Sequence, residues 1–324
     1  MNKTAIGIDI GGTKISIAAG DERGRILAYT VMPTLKGRET PEAIKQLIAA
    51  TRRIIQTLPA KTQKKLAGIG VCLPGAVDSN RGTVPHSPNL PGWKGLKLAD
   101  ILSRQFKLPV RMVNDANAAA VGEMLFGAAR GSKNFFYITV STGVGGGIVI
   151  DGRLLEGARF VAGEIGHMTL VADGDLCSCG RRGCFEAYAS GGSIERYTKA
   201  VMKKKKIPGL AKYLKNGRVS ARAIKGAAHA GNPFALKAFA RAGHYLGVGL
   251  GSLMNVLNPE KIILGGGVLE AAPQVFWKAM RQSLKATAWP EAYKSAKLVR
   301  TPLKKNVGNL GALAVVFDGN RRKA

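Results

Sequence analysis

The chain has 324 residues, of which 46% are hydrophobic, so it is long enough to bury the cores of two domains and too apolar to be intrinsically disordered. Its 49 lysine and arginine residues against 20 aspartate and glutamate residues give a net charge of +29. No apolar run reaches the roughly 18 residues that a membrane span needs, and Lys3 is followed by a strand instead of a secretory leader, so we expect a soluble cytoplasmic protein.

The positive charge is spread along the chain, and Lys203 to Lys206 form its only tight block. A basic field of this size attracts anionic ligands and can hold nucleic acid non-specifically. Because no nucleic-acid reading module is recognisable, we interpret the charge as a solvated surface and expect no specific nucleic-acid partner and no membrane partner.

The first third of the chain alternates strands and helices. Hydrophobic patterning predicts strands over 5–10, 15–19 and 25–31, a helix from 40 to 58, a strand over 66–72, a helix over 98–106 and a strand over 110–113. The helix at 40 is favoured by Thr40 as a cap and by Pro41 in the first turn.

A second, similar series begins at Phe135. It has a strand, a glycine-rich tip at 143–147, a strand, an Asp-Gly turn and a third strand, in the same order as residues 5–31. An internal duplication explains this better than two unrelated tight hairpins, and two such halves would enclose a cleft where ligands bind. We predict a small N-terminal domain of residues 1–117 plus about 301–324, and a larger C-terminal domain of residues 118–300.

Later elements are a basic helical or looped segment over 201–219, a long helix over 234–257, a strand over 261–264, a strand over 297–300 and a closing helix over 310–317. The strand at 261–264 runs into three consecutive glycines, Gly265, Gly266 and Gly267.

The first hairpin has a tip with almost no side-chain bulk. Its residues are Asp9, Gly11, Gly12, Thr13 and Lys14. Bare backbone N–H groups can approach phosphate closely, and Asp9 stands where a metal-bound carboxylate would be useful. Neither a Walker A loop nor a dinucleotide fingerprint is present, and a glycine hairpin of this kind is more often just a turn.

A second candidate site lies in Asn114-Asp115, where a strand runs into a helix of small residues. Ligands of open α/β sheets bind at the carboxyl ends of strands, so Asp115 could accept a proton from a substrate hydroxyl. Asn114 could hold neighbouring hydroxyls through both ends of its amide. The spacing is equally compatible with Asp115 acting only as a helix cap.

The third candidate is the most specific. His167 is followed by Cys177, Cys179 and Cys184, which together supply the donor set of a closed tetrahedral structural zinc site. Such an ion would hold Glu164, His167 and Glu186 rigidly. The alternative is a reduced cysteine cluster without metal.

Four segments together resemble the ROK family of bacterial sugar kinases and repressors. They are DIGGTK at 9–14, NDANAAAVGE at 114–123, STGVGGGIVIDGRLLEGARFVAGEIGH at 141–167 and CSCGRRGCFEAYAS at 177–190. The resemblance covers nearly the whole chain. It implies an actin-like ATPase (ribonuclease H-like) fold, with duplicated βββαβα domains around an interdomain cleft that binds ATP, Mg²⁺ and a hexose.

The resemblance also implies roles for individual residues. Asp115 matches the catalytic base that takes the proton of the sugar 6-hydroxyl. The residues that match sugar ligands are Gly75, Asn114, Glu164, His167 and Glu186, and His167 also matches a zinc ligand. The residues that match the nucleotide loops are Asp9, Gly11, Gly12, Thr13, Lys14, Thr142, Gly143 and Gly145 for the phosphates, with Gly265, Gly266 and Gly267 on the adenosine side.

Regulators of this family carry a DNA-reading module ahead of the first glycine loop, which here begins near residue 9, so we expect a kinase. The resemblance favours a glucokinase-like enzyme that forms homodimers or homotetramers. Kinases of N-acetylglucosamine, N-acetylmannosamine or fructose remain alternatives, as do polyphosphate as phosphoryl donor and a non-catalytic sugar sensor.

Overall fold

The computed structural model describes residues 3–34, 40–87, 90–270 and 272–321. The chain separates into two compact units. The first comprises Met1–Lys133, Gly147–Gly163 and Thr301–Ala324, and the second comprises Asn134–Gly146 and Glu164–Arg300. The predicted domain boundary at residue 117 falls within a helix of the first unit, and as a domain assignment it stays a prediction.

Twelve strands lie in the described part of the chain. In chain order they are β1 (Thr4–Ile10), β2 (Lys14–Asp21), β3 (Ile26–Pro33), β4 (Leu66–Leu73), β5 (Ala76–Asp78), β6 (Thr83–His86), β7 (Val110–Asn114), β8 (Phe135–Val140), β9 (Val144–Ile150), β10 (Arg153–Leu154), β11 (Lys261–Gly265) and β12 (Lys297–Arg300).

The same residues contain twelve α-helices. They are α1 (Thr40–Gln56), α2 (Ala60–Gln63), α3 (Leu98–Phe106), α4 (Asp115–Phe126), α5 (Phe185–Ala189), α6 (Gly191–Lys204), α7 (Ala221–His229), α8 (Pro233–Leu257), α9 (Gly267–Glu270), α10 (Gln274–Thr287), α11 (Pro290–Ser295) and α12 (Val307–Arg321). None of them is both long and apolar enough to cross a membrane.

The two large sheets share one strand order. The first runs β3-β2-β1-β4-β7 and the second runs β10-β9-β8-β11-β12. In each, the earliest strand is central, the next two strands follow on one side, and two later strands lie on the other side. The shared order confirms the predicted duplication of the α/β arrangement.

The first sheet is covered on both faces. Ile6, Ile8 and Ile10 of β1 pack into the same apolar cluster as Leu47 of α1. Ala5, which points to the opposite face, packs with Leu313 of α12. Because side chains alternate along a strand, Asp9 lies on the same face as Ala5, next to α12.

The sequence patterns find the long elements and misplace some ends. The long predicted helix over 234–257 is α8. Asn232 caps its N-terminus, and Asn258, which follows its last residue, has a left-handed backbone conformation. The predicted closing helix over 310–317 begins three residues earlier, at Val307, and extends to Arg321. Lys203 to Lys206 are all exposed, as expected for a solvated basic surface.

Candidate functional site

The strands of the first sheet bring polar residues to one edge. β1, β4 and β7 are parallel neighbours, so their carboxyl ends lie side by side. The register pairs Asp9 with Cys72, and Leu73 with Asn114. Asp115 follows as the first residue of α4. Sequence positions more than 100 residues apart thus meet at one edge of the sheet.

Asp9 lies in a confined environment beneath the start of α12. The Cys72 thiol, which is fully buried, donates to Asp9 Oδ1 at 3.6 Å and also lies 3.6 Å from the Gly308 carbonyl oxygen. A methyl group at Gly308 would overlap Asp9 Oδ2, so a larger residue there would require Asp9 or the helix to shift. Burial raises the pKa of Asp9 to about 6, and the nearby negative charge of Asp115 adds to this shift.

Asp115 keeps solvent-exposed surface, while the protein around it still removes part of its hydration. This desolvation raises the pKa of Asp115, and hydrogen bonds from the Ala116 backbone N–H and from Asn114 act in the opposite direction. The Ala116 N–H lies 2.9 Å from Asp115 Oδ1. An accessible carboxylate with a raised pKa accepts a proton more readily than an ordinary aspartate, as a general base must.

Asn114, and not Asp115, is the residue that caps α4. Its Oδ1 accepts hydrogen bonds from the backbone N–H groups of Ala116 at 2.8 Å and Asn117 at 3.2 Å. Its Nδ2 donates to the carbonyl oxygen of Gly75 at 3.1 Å. The cap therefore needs no help from the Asp115 side chain, and Gly75 and Asn114, both predicted sugar ligands, are brought together.

The tip of the first hairpin lies between β1 and β2. The Gly11 N–H donates to the Lys14 carbonyl oxygen at 2.9 Å, and the Thr34 hydroxyl donates to the Gly11 carbonyl oxygen at 2.6 Å. Gly11 and Gly12 are half-buried, whereas Thr13 and Lys14 are exposed. The tip is a braced turn with side chains directed to solvent.

The second unit brings its predicted nucleotide residues together at the ends of β8 and β11, which are parallel neighbours with Gly265 opposite Thr139. Gly266 has a φ of 102°, and a side chain there would overlap the backbone of Val140. The Gly192 N–H donates to the carbonyl oxygen of Thr142 at 3.0 Å. The turn at Gly266, between β11 and α9, therefore lies beside the end of β8, from which the turn at residues 141–143 leads into β9.

Glu186 connects the loop at Gly143 to the cysteine residues. Its Oε2 accepts from the Val144 N–H at 3.0 Å, and its Oε1 accepts from the Ser178 hydroxyl at 2.8 Å. A methyl group at Gly143 would overlap Glu186 Oε2. A side chain at Gly143 would therefore require the Glu186 carboxylate to move, a constraint that the sequence pattern did not indicate.

The three cysteines and His167 converge on one point. We call residues 173–184 the cysteine loop; a bridge between Leu176 and Arg182 closes its tip. The four ligand atoms of the cluster all lie within 4.8 Å of one another. The four residues are His167, Cys177, Cys179 and Cys184. The sequence prediction that these positions form one cluster is confirmed.

The electrostatics of this cluster favour a cation. Cys184 is fully buried, and this burial, together with the neighbouring sulfurs of Cys179 and Cys177, raises its pKa to about 12. A positive charge among three sulfurs this close would stabilise their thiolate forms. The donor set therefore fits a divalent metal with a closed, tetrahedral coordination shell.

His167 faces both the cysteine loop and Glu164. Its Nδ1 lies 3.9 Å from Cys177 Sγ, and its Nε2 lies 3.9 Å from Glu164 Oε2. His167 is the last residue of a short 3-10 turn, Ile165–His167, and Glu164 occupies its N-terminal cap position. The two ring nitrogens thus point to different partners, as the predicted double role of His167 requires.

Two contributors to the Asp9 environment were not identified as site residues from the sequence. Cys72 fits the pattern of an ordinary core residue, and Gly308 lies in a segment that we predicted to precede the last helix. Strand alternation places Cys72 on the same sheet face as Asp9, and this was the one available signal. The position of Gly308 depends on a tertiary contact without a local pattern.

Comparison with known proteins identifies the family of this chain. The profile of the ROK family matches residues 5–318. A glucokinase from Halalkalibacterium halodurans is 38% identical over 308 residues, which cover 94% of this chain and 92% of that protein. A xylose repressor from Bacillus spizizenii is 35% identical over 322 residues, which cover 98% of this chain and 79% of that protein.

Among solved structures, a ROK family glucokinase from Streptomyces griseus in complex with glucose and AMPPNP superposes with a TM-score of 0.81. It is 34% identical to this protein, and the match covers 98% of this chain and 100% of that chain. The likeness confirms the predicted actin-like ATPase fold. The family profile, the relatives and the fold agree, and the chain belongs to the ROK family.

Proposed function

We propose that this protein is a hexokinase that transfers the γ-phosphoryl group of ATP to the 6-hydroxyl of a hexose, with glucose as its main substrate. The observation that carries the proposal is the exposed carboxylate of Asp115 at the carboxyl edge of the first sheet, with a raised pKa and with Asp9 nearby. The kinship with glucokinases over nearly the whole chain supports the same reaction.

In this proposal Asp115 accepts the proton of the 6-hydroxyl as the oxygen attacks the γ-phosphorus. The bond from the γ-phosphorus to the bridging oxygen breaks, and ADP leaves. Phosphoryl transfer passes through a loose transition state, so alignment and charge neutralisation contribute more than base strength. The cap made by Asn114 supports alignment because it fixes the backbone from which the Asp115 side chain extends.

The hexose would be held by the backbone of Gly75 and by side chains that also have internal partners. The proposed sugar ligands are Gly75, Asn114, Glu164, His167 and Glu186. The Asn114 amide has two N–H donors, so its bond to Gly75 leaves capacity for a sugar hydroxyl. Glu186 is held at both oxygens, which orients the carboxylate before the sugar arrives.

ATP and Mg²⁺ would be bound by the two glycine-rich loops and by Asp9. Proposed contacts to the phosphates are Gly11, Gly12, Thr13, Lys14, Thr142, Gly143 and Gly145, and proposed contacts to adenosine are Gly265, Gly266 and Gly267. Mg²⁺ would neutralise charge on the transferred phosphoryl group. Asp9 fits a metal-facing role. Its pKa of about 6 shows that burial disfavours the charged carboxylate, and a nearby cation would stabilise that charge.

The cysteine cluster is proposed to hold a structural Zn²⁺. Its four converging donors and the raised pKa of Cys184 support this assignment. All four coordination positions would be filled by protein, so the ion would have no place for a reactive water. Its contribution would be to fix the cysteine loop, and with it His167 and Glu186.

One observation favours a second candidate, a sugar sensor without catalysis, because the xylose repressor is nearly as similar as the glucokinase. The charge of +29 also suits polyphosphate as a donor. A cytoplasmic location and a homodimeric or homotetrameric state stay predictions, the latter open to sedimentation analysis.

The decisive assay follows ADP release with ATP and each of glucose, N-acetylglucosamine, N-acetylmannosamine, fructose and mannose, and repeats it with polyphosphate in place of ATP. We expect glucose with ATP to give the highest kcat/KM. A higher value for another sugar or for polyphosphate would reassign the substrate or the donor. If no sugar were phosphorylated with either donor, the sugar sensor without catalysis would be the remaining candidate function.

A further inference from the structure

Arg241, on helix α8, forms an ion pair with the cysteine loop. Its Nη2 donates to Asp175 Oδ2 at 2.8 Å. The Arg241 side chain is 23% exposed, so this pair is only partly shielded from water. An exposed pair alone would stabilise the loop by less than about 1 kcal/mol. Arg241, however, has further partners.

Three tyrosine rings surround the same guanidinium group. Its central carbon lies 4.9 Å from the ring centre of Tyr188, 4.9 Å from that of Tyr197 and 5.3 Å from that of Tyr245. A planar guanidinium can stack on aromatic faces while it donates hydrogen bonds in its plane. Arg241 therefore binds a carboxylate and a tyrosine cage at the same time.

These partners lie at the two ends of the ligand-bearing segment. Asp175 precedes Cys177 by two residues, and Tyr188 follows Glu186 by two residues. The Asp175 backbone N–H also donates to the Tyr188 hydroxyl. Arg241 thus binds both ends of the segment that carries three cysteines and Glu186, and none of these contacts uses the metal.

The cage is continuous with the packing around the sulfurs. Tyr188 belongs to the same buried cluster as Cys177 and Cys184, and Tyr245 packs against that cluster. The Tyr188 and Tyr245 rings are 4.4 Å apart. A change in the cage therefore reaches the cysteines through direct contacts.

We propose that Arg241 is a positioning residue that preorganises the cysteine loop for its metal and, through Glu186, for the hexose. This inference rests on the proposed zinc site and the proposed hexose site. Preorganisation lowers the entropy that ligand binding must remove, so loss of Arg241 weakens both metal retention and sugar binding. The chemical step at Asp115 is not its target.

The test compares the zinc-loaded wild type with Arg241→Met, which keeps an apolar stem against the rings, and Arg241→Lys, which keeps the charge without the planar group. Lys212→Met is the matched control, because Lys212 also lies over a tyrosine ring, that of Tyr213, and is exposed. The first readout is the rate of zinc release to excess 4-(2-pyridylazo)resorcinol. The second is KM for glucose and for ATP alongside kcat.

For Arg241→Met we expect zinc release about 10-fold faster and KM for glucose about 5-fold higher, with KM for ATP and kcat within about 2-fold of wild type. Arg241→Lys should lie between this variant and wild type, and Lys212→Met should match wild type. The double variant Arg241→Met, Asp175→Asn should change the logarithm of the zinc release rate by less than the sum of the two single changes, because the two residues interact directly.

Unchanged zinc release in Arg241→Met overturns the inference, and so does a wild type that retains no zinc after loading. Equal changes in all kinetic constants, together with a lost circular dichroism signal, would mark Arg241 as a general folding residue and would also overturn it. If the wild type phosphorylates no hexose but Arg241→Met still releases zinc faster, the proposed function fails while the positioning role of Arg241 stands.

Discussion

Asp9 and Asp115 are two carboxylates in one partly desolvated environment, and the negative charge of Asp115 adds to the cost of ionising Asp9. Without ligands this arrangement destabilises the folded state. Functional sites retain such carboxylates because bound substrates and cations offset the cost of burying their charges. Cys72 reduces the cost for Asp9 because its thiol donates to the carboxylate.

The raised pKa of Asp9 predicts a pH-dependent stability. Between about pH 4 and pH 6 the folded state keeps a proton on Asp9 that the unfolded state has lost, so the free energy of unfolding falls as the pH rises through this window. Above pH 6 the loss reaches a plateau of about 3 kcal/mol, because the pKa of Asp9 is raised from 3.8 to about 6. Asp9→Asn should therefore be more stable than wild type at pH 7, with a smaller difference at pH 4.

Urea unfolding at pH 4, 5, 6 and 7, without nucleotide or Mg²⁺, measures this difference. Asp100→Asn, which removes an exposed carboxylate on α3, controls for the change in net charge. If Asp9→Asn is the less stable protein at pH 7, the hydrogen bonds of Asp9 outweigh its burial and the interpretation is wrong.

At the scale of elements, the carboxyl edge of the first sheet depends on α12. This helix comes from the far end of the chain and packs beside β1, and its first turn lies against Asp9 with no space for a side chain at Gly308. Apolar alternation predicts β1 and the helical pattern predicts most of α12. Neither pattern indicates that the two meet at Gly308, because that contact depends on how the elements pack.

Gly308→Ala should displace Asp9 or the first turn of α12. We expect a loss of about 1–3 kcal/mol in stability and a several-fold higher KM for ATP, with KM for glucose little changed. Gly226→Ala is the control, since Gly226 lies within α7 and its nearest neighbour to an added methyl group is 3.7 Å away. That change should stabilise the protein by about 0.5–1 kcal/mol. Equal KM values for ATP in both variants would contradict the role of Gly308.

The cysteine loop contains little regular secondary structure, so we expect the proposed metal to hold its shape. Cys184→Ser, or treatment of wild type with a strong chelator, should remove the metal, lower the thermal midpoint by roughly 5 °C and raise KM for glucose. Cys72→Ser, outside the cluster, should retain one zinc per chain. Metal analysis and calorimetry check both, and unchanged glucose binding in zinc-free protein would refute the structural role of the ion.

At the scale of the whole molecule, duplication explains what could be predicted. Two hairpins with glycine-rich tips predict two similar sheets, and the two large sheets of the structure share one strand order. The cysteine spacing predicts the cluster because few donor sets satisfy zinc. By contrast, Arg241 stands four residues before Tyr245 on one helix face, but its pairing with Asp175 and Tyr188 arises only from folding.

The central claim is that Asp115 takes the proton of the hexose hydroxyl, and the most direct measurement is kcat of Asp115→Asn with glucose and ATP beside its glucose affinity by titration calorimetry. We expect kcat to fall by about 10³-fold, because the amide cannot accept the proton, while the dissociation constant for glucose stays within about 2-fold. A variant that keeps kcat within tenfold of wild type would contradict the account.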